Sequence, residues 1–270
     1  MKESKEIIRA SKDSTSGVLI NYNVPQKRCW ALAVSQLQKY MARHIDWIQA
    51  DPDEIRQIIP LNKNCEFEIC FQLSEIEQDH PGRSYKEIMN LLNIRLVHFV
   101  NEQDFEGSSI FNSIKREKGL VTATLPIRSL RWILDFGQKR MFVAFHKPSF
   151  LRLTTNYSMD MFLFLSENYG RCLFKIKIED FKKRIGCPEG YDAQAIKRNI
   201  FVPSINEFKT KKTILSFDYA FMTDEDKPNS PGRKRLNVIV IGIKKLQDDG
   251  EYKPVDQEKW NKIVKEITNE

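Results

Sequence analysis

The sequence predicts an α+β chain built from two tandem winged helix-turn-helix domains related by pseudo-duplication. Three observations carry that expectation. From Phe162 to Ile243 the pattern runs helix, short helix, turn, long basic helix and hairpin. A looser version of the same order precedes it, between about Pro25 and Phe145. The halves meet at His146-Lys147-Pro148-Ser149, where proline biases the residue before it away from helix. The domains expected are a disordered tail at 1–16, a first winged-helix domain at 17–147, a second at 148–245, and a linker with a short amphipathic helix at 246–270.

In the first half, residues 1 to about 16 are rich in Lys, Glu and Ser with little periodicity, which predicts a mobile tail. Pro25 suits the first turn of a helix reaching about His44, with Trp30, Val34, Leu37 and Met41 on one face. That face is a core stripe, and the helix is long enough to carry a subunit contact as well. Phe67, Ile69, Phe71 and Leu73 alternate with polar residues as a strand does. His80-Pro81-Gly82 is a turn, and Arg83 or Ser84 opens a helix with Ile88, Leu92 and Leu96 inward. Arg116-Glu117-Lys118-Gly119 joins two short strands, about 109–115 and 120–125. A short amphipathic helix at 127–136 and a strand at 141–145 complete the half.

The second half opens with Ser158 as N-cap of a helix reaching about Leu173, in which Met161, Phe162, Leu165, Tyr169 and Leu173 are available for burial. A short helix at 179–185 leads to the turn Gly186-Cys187-Pro188-Glu189-Gly190. Asp192 then caps a helix to about Phe208, with Ile196, Ile200, Ile205 and Phe208 inward and Gln194, Lys197 and Arg198 outward. Pro203 falls inside this helix and should kink it or end its first segment. Leu215, Phe217, Tyr219 and Phe221 alternate along a strand. A polar loop, 224–232, leads to the return strand with Leu236, Val238 and Val240. At the C-terminal end Trp260, Ile263, Val264 and Ile267 form an apolar stripe expected to pack back onto the body.

Composition narrows the function classes. A hydrophobic fraction of 41% over 270 residues supplies real cores. The net charge of +7 suits a polyanionic partner. No apolar run has the length of a signal peptide or a membrane span, so a cytoplasmic protein is expected. Five cysteines without a CxxC pair read as reduced, mostly buried thiols, and no metal or cofactor is expected.

Duplex DNA recognition needs cations for phosphates and forked donors for base edges. Lys197 and Arg198 lie near the start of the long helix, where base contacts concentrate, and Gln194 is suited to adenine as Arg198 is to guanine. Lys182, Lys183 and Arg184 end the preceding helix, offsetting its dipole and placed to grip phosphate. Arg233, Lys234 and Arg235 flank the wing loop. In the first half Arg83, Lys86, Asn90 and Lys118 are candidate contacts, by analogy with the second.

The run from Ile178 to Ile243 resembles the C-terminal winged helix of iteron-binding plasmid replication initiators, the Rep proteins of theta-replicating plasmids. The landmarks are Ile178-Glu179-Asp180-Phe181-Lys182 before Ile185-Gly186, then Tyr191, and the run from Ile196 through Pro203 to Glu207. Gly232-Arg233-Lys234 before the last strand completes the set. The first half is similar only in element order. The resemblance implies a tandem winged-helix protein that binds direct repeats at a plasmid origin and helps open adjacent DNA. It implies a C-terminal domain that reads bases, an N-terminal domain that adds a secondary DNA contact and a homodimer interface, an active monomer, and recruitment of host replication proteins. It implies no nucleotide cofactor and no cleavage chemistry. The chain departs from the family pattern between Arg171 and Ile178, where the connection is short, and in its acidic wing loop.

Three other readings are weighed by the same residues. A rolling-circle nickase needs two closely spaced metal-binding histidines, whereas His44, His80, His98 and His146 are widely separated. A GxxxxGK[ST] phosphate loop is absent, so the chain is not expected to be an enzyme. A winged-helix transcriptional repressor shares the architecture and stays open as the alternative. A protein-interaction module predicts no sequence-specific DNA binding.

Overall fold

The computed structural model describes residues 7–11, 22–41, 66–77, 85–93, 95–99, 105–126, 142–223 and 236–265, with Arg43, Gln57 and Asn64. The chain divides into two compact units, Met1–Arg152 and Leu153–Glu270, each of mixed helix and strand.

In the first unit, β1 (Ile7–Ser11) pairs antiparallel with β7 (Phe142–His146), Ile8 facing Phe145. Within the tail expected to be disordered at 1–16, this corrects residues 7–11: Ile8 is buried, and the partner strand lies too far along the chain for local periodicity to reveal the pairing. Helix α1 (Val24–Met41) buries Cys29, Trp30, Ala33, Val34 and Leu37, and Trp30 stacks on Phe145 at 5.9 Å. Strands β2 (Glu66–Gln72), β5 (Ser113–Glu117) and β6 (Leu120–Pro126) form an antiparallel sheet in the order β2-β6-β5. The Gln36 side-chain amide, from α1, bonds both the N–H and the carbonyl of Cys70, covering part of the β2 edge as a neighbouring strand would. The turn between β5 and β6 places Lys118 at φ +48 and Gly119 at φ +82, as a two-residue type I′ hairpin requires.

Helix α2 (Leu73–Ile76) follows β2 directly. Helix α3 (Tyr85–Met89) continues for one 3₁₀ turn, Asn90–Asn93, and β3 (Arg95–Phe99) then pairs with β4 (Phe105–Ser109). The single helix expected through Leu96 is thereby corrected. Its three apolar residues fit a helical face equally well, but Leu96 lies in a strand. The segments expected at 80–84 and 127–136 lie outside the described residues. Helix α4 (Lys147–Leu151) closes the unit with Pro148 in its first turn, and the buried His146 ring bonds the Ser149 hydroxyl at 2.8 Å. Proline here starts a helix, so the division falls after Arg152 instead of at residue 147.

The second unit is built on α5 (Asn156–Glu167), whose residues from Ser158 to Ser166 are all buried. Its N-cap is Thr155, whose hydroxyl accepts from the Ser158 N–H at 3.3 Å; Ser158 is a buried residue of the first turn and not the cap expected. The helix stops at Glu167, and Leu173 begins β8 (Leu173–Lys177), leaving Tyr169 exposed. Helix α6 (Ile178–Ile185) follows. Strands β9 (Leu215–Met222) and β10 (Val238–Lys245) complete a sheet ordered β8-β10-β9. Phe201 lies at the centre of the core, 5.3 Å from Phe181, 5.4 Å from Phe217 and 5.6 Å from Phe221. Truncating such a ring costs about 3–5 kcal/mol.

The residues at 246–265 belong to this unit. The Tyr252 hydroxyl lies 2.9 Å from the Phe208 carbonyl and 2.8 Å from that of Thr213. Val255 and Trp260, the latter on α9 (Gln257–Lys265), lie against Gly242. β10 is therefore covered on both faces and is buried from Val238 to Ile243 without alternation.

Candidate nucleic-acid interface

Helix α6 ends at Gly186, in the left-handed conformation at φ +66. The turn that follows is braced from inside. Lys182 donates to the Glu189 carbonyl at 2.7 Å and to the Glu179 carboxylate at 3.0 Å, and burial raises the Cys187 thiol above its ordinary pKa. Asp192 then caps the next helix, accepting from the Ala195 N–H at 2.7 Å.

That helix runs without a break through α7 (Ala193–Ile196), a π turn (Lys197–Phe201) and α8 (Val202–Lys211). The π turn explains how Pro203 is tolerated. In an α-helix its ring would collide with the carbonyl four residues back. Here the Val202 N–H bonds the Lys197 carbonyl five residues back, so the extra residue relieves the clash. Ile196, Phe201 and Val202 keep right-handed helical backbone angles, so the helix neither ends nor fractures as the proline alone suggests.

The same turn sets the phase of the side chains. Ile196, Ile200, Ser204 and Phe208 are all buried. At about 100° per residue, three four-residue steps would drift roughly 120° around an uninterrupted α-helix; one inserted residue reduces this to about 20°. The outer face is straightened too. Gln194, Arg198, Val202 and Asn206 are exposed at the same four-residue interval, with Lys197 beside them. Ile205, expected inward, is half-buried.

The C-terminal half of the helix is clamped to α5. The Glu207 carboxylate accepts from the backbone N–H of Thr154, from its hydroxyl at 2.7 Å, and from the Thr155 hydroxyl at 2.9 Å. The Ser158 and Ser204 hydroxyls add a bond at 3.3 Å. Sequence reading missed this clamp, because a Glu on a helix carries no local sign of a partner some fifty residues away.

Of the candidate residues, Gln194, Lys197, Arg198 and Lys183 are exposed, as are Lys86, Asn90 and Lys118 in the first unit. Lys182 and Arg184 correct the expectation of phosphate contact. Lys182 is buried under the turn, and Arg184 lies against Glu167 with its guanidinium 6.0 Å from the Phe164 ring. Both sit on the inward-facing side of α6, which spacing within a basic triplet does not reveal. Arg83, Arg233, Lys234 and Arg235 lie outside the described residues; β9 and β10, between which the last three fall in sequence, pair antiparallel. Among the described cysteines, Cys29 and Cys187 are buried, but Cys70 and Cys172 are exposed, against the expectation of mostly buried thiols. No described helix is long and apolar enough to cross a membrane.

The solved structure of the Pi initiator protein in complex with iteron DNA superposes on this chain with a TM-score of 0.61, covering 88% of this chain and 97% of that one at 17% identity. This chain shares that fold. No family model matches it, and neither does any curated protein. The Pi initiator likeness spans both units, including the half whose sequence carried only a loose element order.

Proposed function

We propose that this chain is a sequence-specific double-stranded DNA-binding protein that initiates plasmid replication by binding direct repeats at an origin and promoting local opening. In this reading each unit is a winged helix. In the second, α6, the turn and the 193–211 helix form the helix-turn-helix, and the β9–β10 hairpin forms the wing. The carrying observation is the exposure of Gln194, Lys197 and Arg198 on one face of the helix that follows a capped, internally braced turn. The fold shared with a protein solved on iteron DNA supports it.

Arg198 and Gln194 supply bidentate donors suited to guanine and adenine, while Lys183 and Lys197 supply cations for flanking phosphates. The first unit adds Lys86, Asn90 and Lys118 as a second contact and provides the homodimer interface. Host replication proteins join at the opened origin. The chain performs no cleavage and needs no cofactor; its work is binding free energy placed on deformable DNA.

Footprinting on the DNA flanking the gene tests this directly. Tandem direct repeats at a regular spacing, with affinity falling steeply with salt, are the expected result. A single inverted repeat at a promoter would replace the initiator with a repressor. Absence of any protected site would end the DNA reading altogether.

A further inference from the structure

Between Gln194 and Asn206 the exposed face of the helix presents Gln, Arg, Val and Asn at four-residue intervals, and Val202 is an apolar side chain left 40% exposed in the middle of it. An α-helix would carry these residues progressively around its axis, so that Asn206 would point well away from Gln194. The π turn at Lys197–Phe201 cancels most of that drift. The result is a straight row roughly 18 Å long, about five base-pair steps of a duplex.

The chemistry of the row is that of direct readout. Glutamine and asparagine pair with adenine, arginine with guanine, and an apolar group meets the one apolar feature of the major groove, the thymine methyl. Among the described residues Val202 stands outward while its neighbours Phe201 and Ser204 are buried. Thr210, the next residue at that interval, is exposed, but its hydroxyl donates to the Asn206 carbonyl at 2.8 Å.

We infer that Val202 is a specificity-determining residue that reads a thymine methyl within the bound repeat, held in line with Gln194 and Arg198 by the π turn. This rests on the DNA-reading role proposed above and extends the reading face a full turn beyond the first two turns of the helix. The buried row Ile196, Ile200, Ser204 and Phe208 fixes that phase, and Pro203 is accommodated within it.

The test is a thymine-to-uracil scan of a duplex selected by the wild-type protein from a randomised pool, because uracil differs from thymine only by the missing methyl. With the wild-type chain, one position should lose about four-fold in affinity, the worth of one buried methyl. Val202→Ala should bind the thymine duplex about as weakly as wild type binds the uracil one, and should lose nothing further on uracil. Val202→Thr, which keeps the branched shape, should retain part of the discrimination. Thermal unfolding should be unchanged in both variants. If Val202→Ala keeps the full uracil penalty at every thymine, the inference is overturned while the DNA-reading role stands. If the wild-type chain selects no sequence, the DNA-reading role itself fails.

Discussion

Arg184 and Glu167 form an ion pair inside the second unit. The guanidinium Nε donates to the carboxylate at 3.0 Å, and Nη2 is 2.9 Å from the same oxygen. Both side chains are largely screened from solvent, at 13% and 15% exposure. Arg184→Ala would leave a carboxylate half-buried without its cation, a loss of about 1–3 kcal/mol. Its exposed neighbour Lys183 has no such internal role among the described contacts. We therefore expect the two to separate cleanly. Arg184→Ala lowers the urea midpoint and leaves the salt dependence of DNA binding intact. Lys183→Ala leaves the midpoint intact, weakens cognate and scrambled duplexes equally, and reduces the salt slope by about one. Arg198→Ala should instead collapse the ratio between the two duplexes. A Lys183→Ala chain with an unchanged salt slope would remove α6 from the phosphate contact.

Pro203 yields a prediction with an unusual sign. Replacing proline by alanine inside a helix ordinarily gains about 3 kcal/mol. Here the π turn has already removed the collision, and the buried row Ile196, Ile200, Ser204 and Phe208 holds the helix in its present phase. Pro203→Ala should therefore change stability by less than about 1 kcal/mol in urea titrations. A gain of several kcal/mol would mean that the helix is strained and that the core does not dictate the phase.

The same helix shows what could be read from sequence and what could not. Pro203 inside the pattern is a legible sign of a disturbed helix, but the apolar residues Ile196, Ile200, Ile205 and Phe208 do not reveal that the polar Ser204 takes the inward place. The Asp192 cap, the alternation in β2 and the Lys118-Gly119 turn are local features found where the sequence places them, and β9 forms as expected although its burial does not alternate. Failures arise where the deciding partner is distant. Ile7–Ser11 becomes a strand only because residues 142–146 are available to pair. Leu173 extends the apparent stripe of α5, yet is taken into β8 by pairing with Gly242. Lys182 and Arg184 have the composition of a phosphate grip, but a carbonyl and a carboxylate elsewhere in the unit claim them.

Gly242 tests whether the C-terminal segment is structural. A Cβ at this position would stand 2.7 and 2.9 Å from the Val255 methyls and 3.1 Å from the Trp260 ring. Something must move, and overpacking of this kind costs about 1–3 kcal/mol. Gly242→Ala should lower the melting temperature and shift Trp260 emission towards that of a solvated indole. Adding Val255→Ala should restore most of the loss, because it removes the two closest atoms. A Gly242→Ala chain as stable as wild type would show that the tail rests on β10 without contributing to the unit.

Tyr157 links the stability of the second unit to alkaline pH. Burial, followed by the neighbouring Tyr191 and Cys187, pushes its phenol from the ordinary value near 10 up to about 12. The folded unit thus holds the proton more tightly than the unfolded chain does. Its stabilising contribution is complete below about pH 10 and is lost as pH rises towards 12, where the native phenol also ionises. Tyr157→Phe cannot ionise, so its urea midpoint should fall less steeply across that interval than the wild-type midpoint. Parallel slopes for the two proteins would mean that other tyrosines, Tyr219 and Tyr252 foremost because burial also raises theirs, govern the alkaline transition.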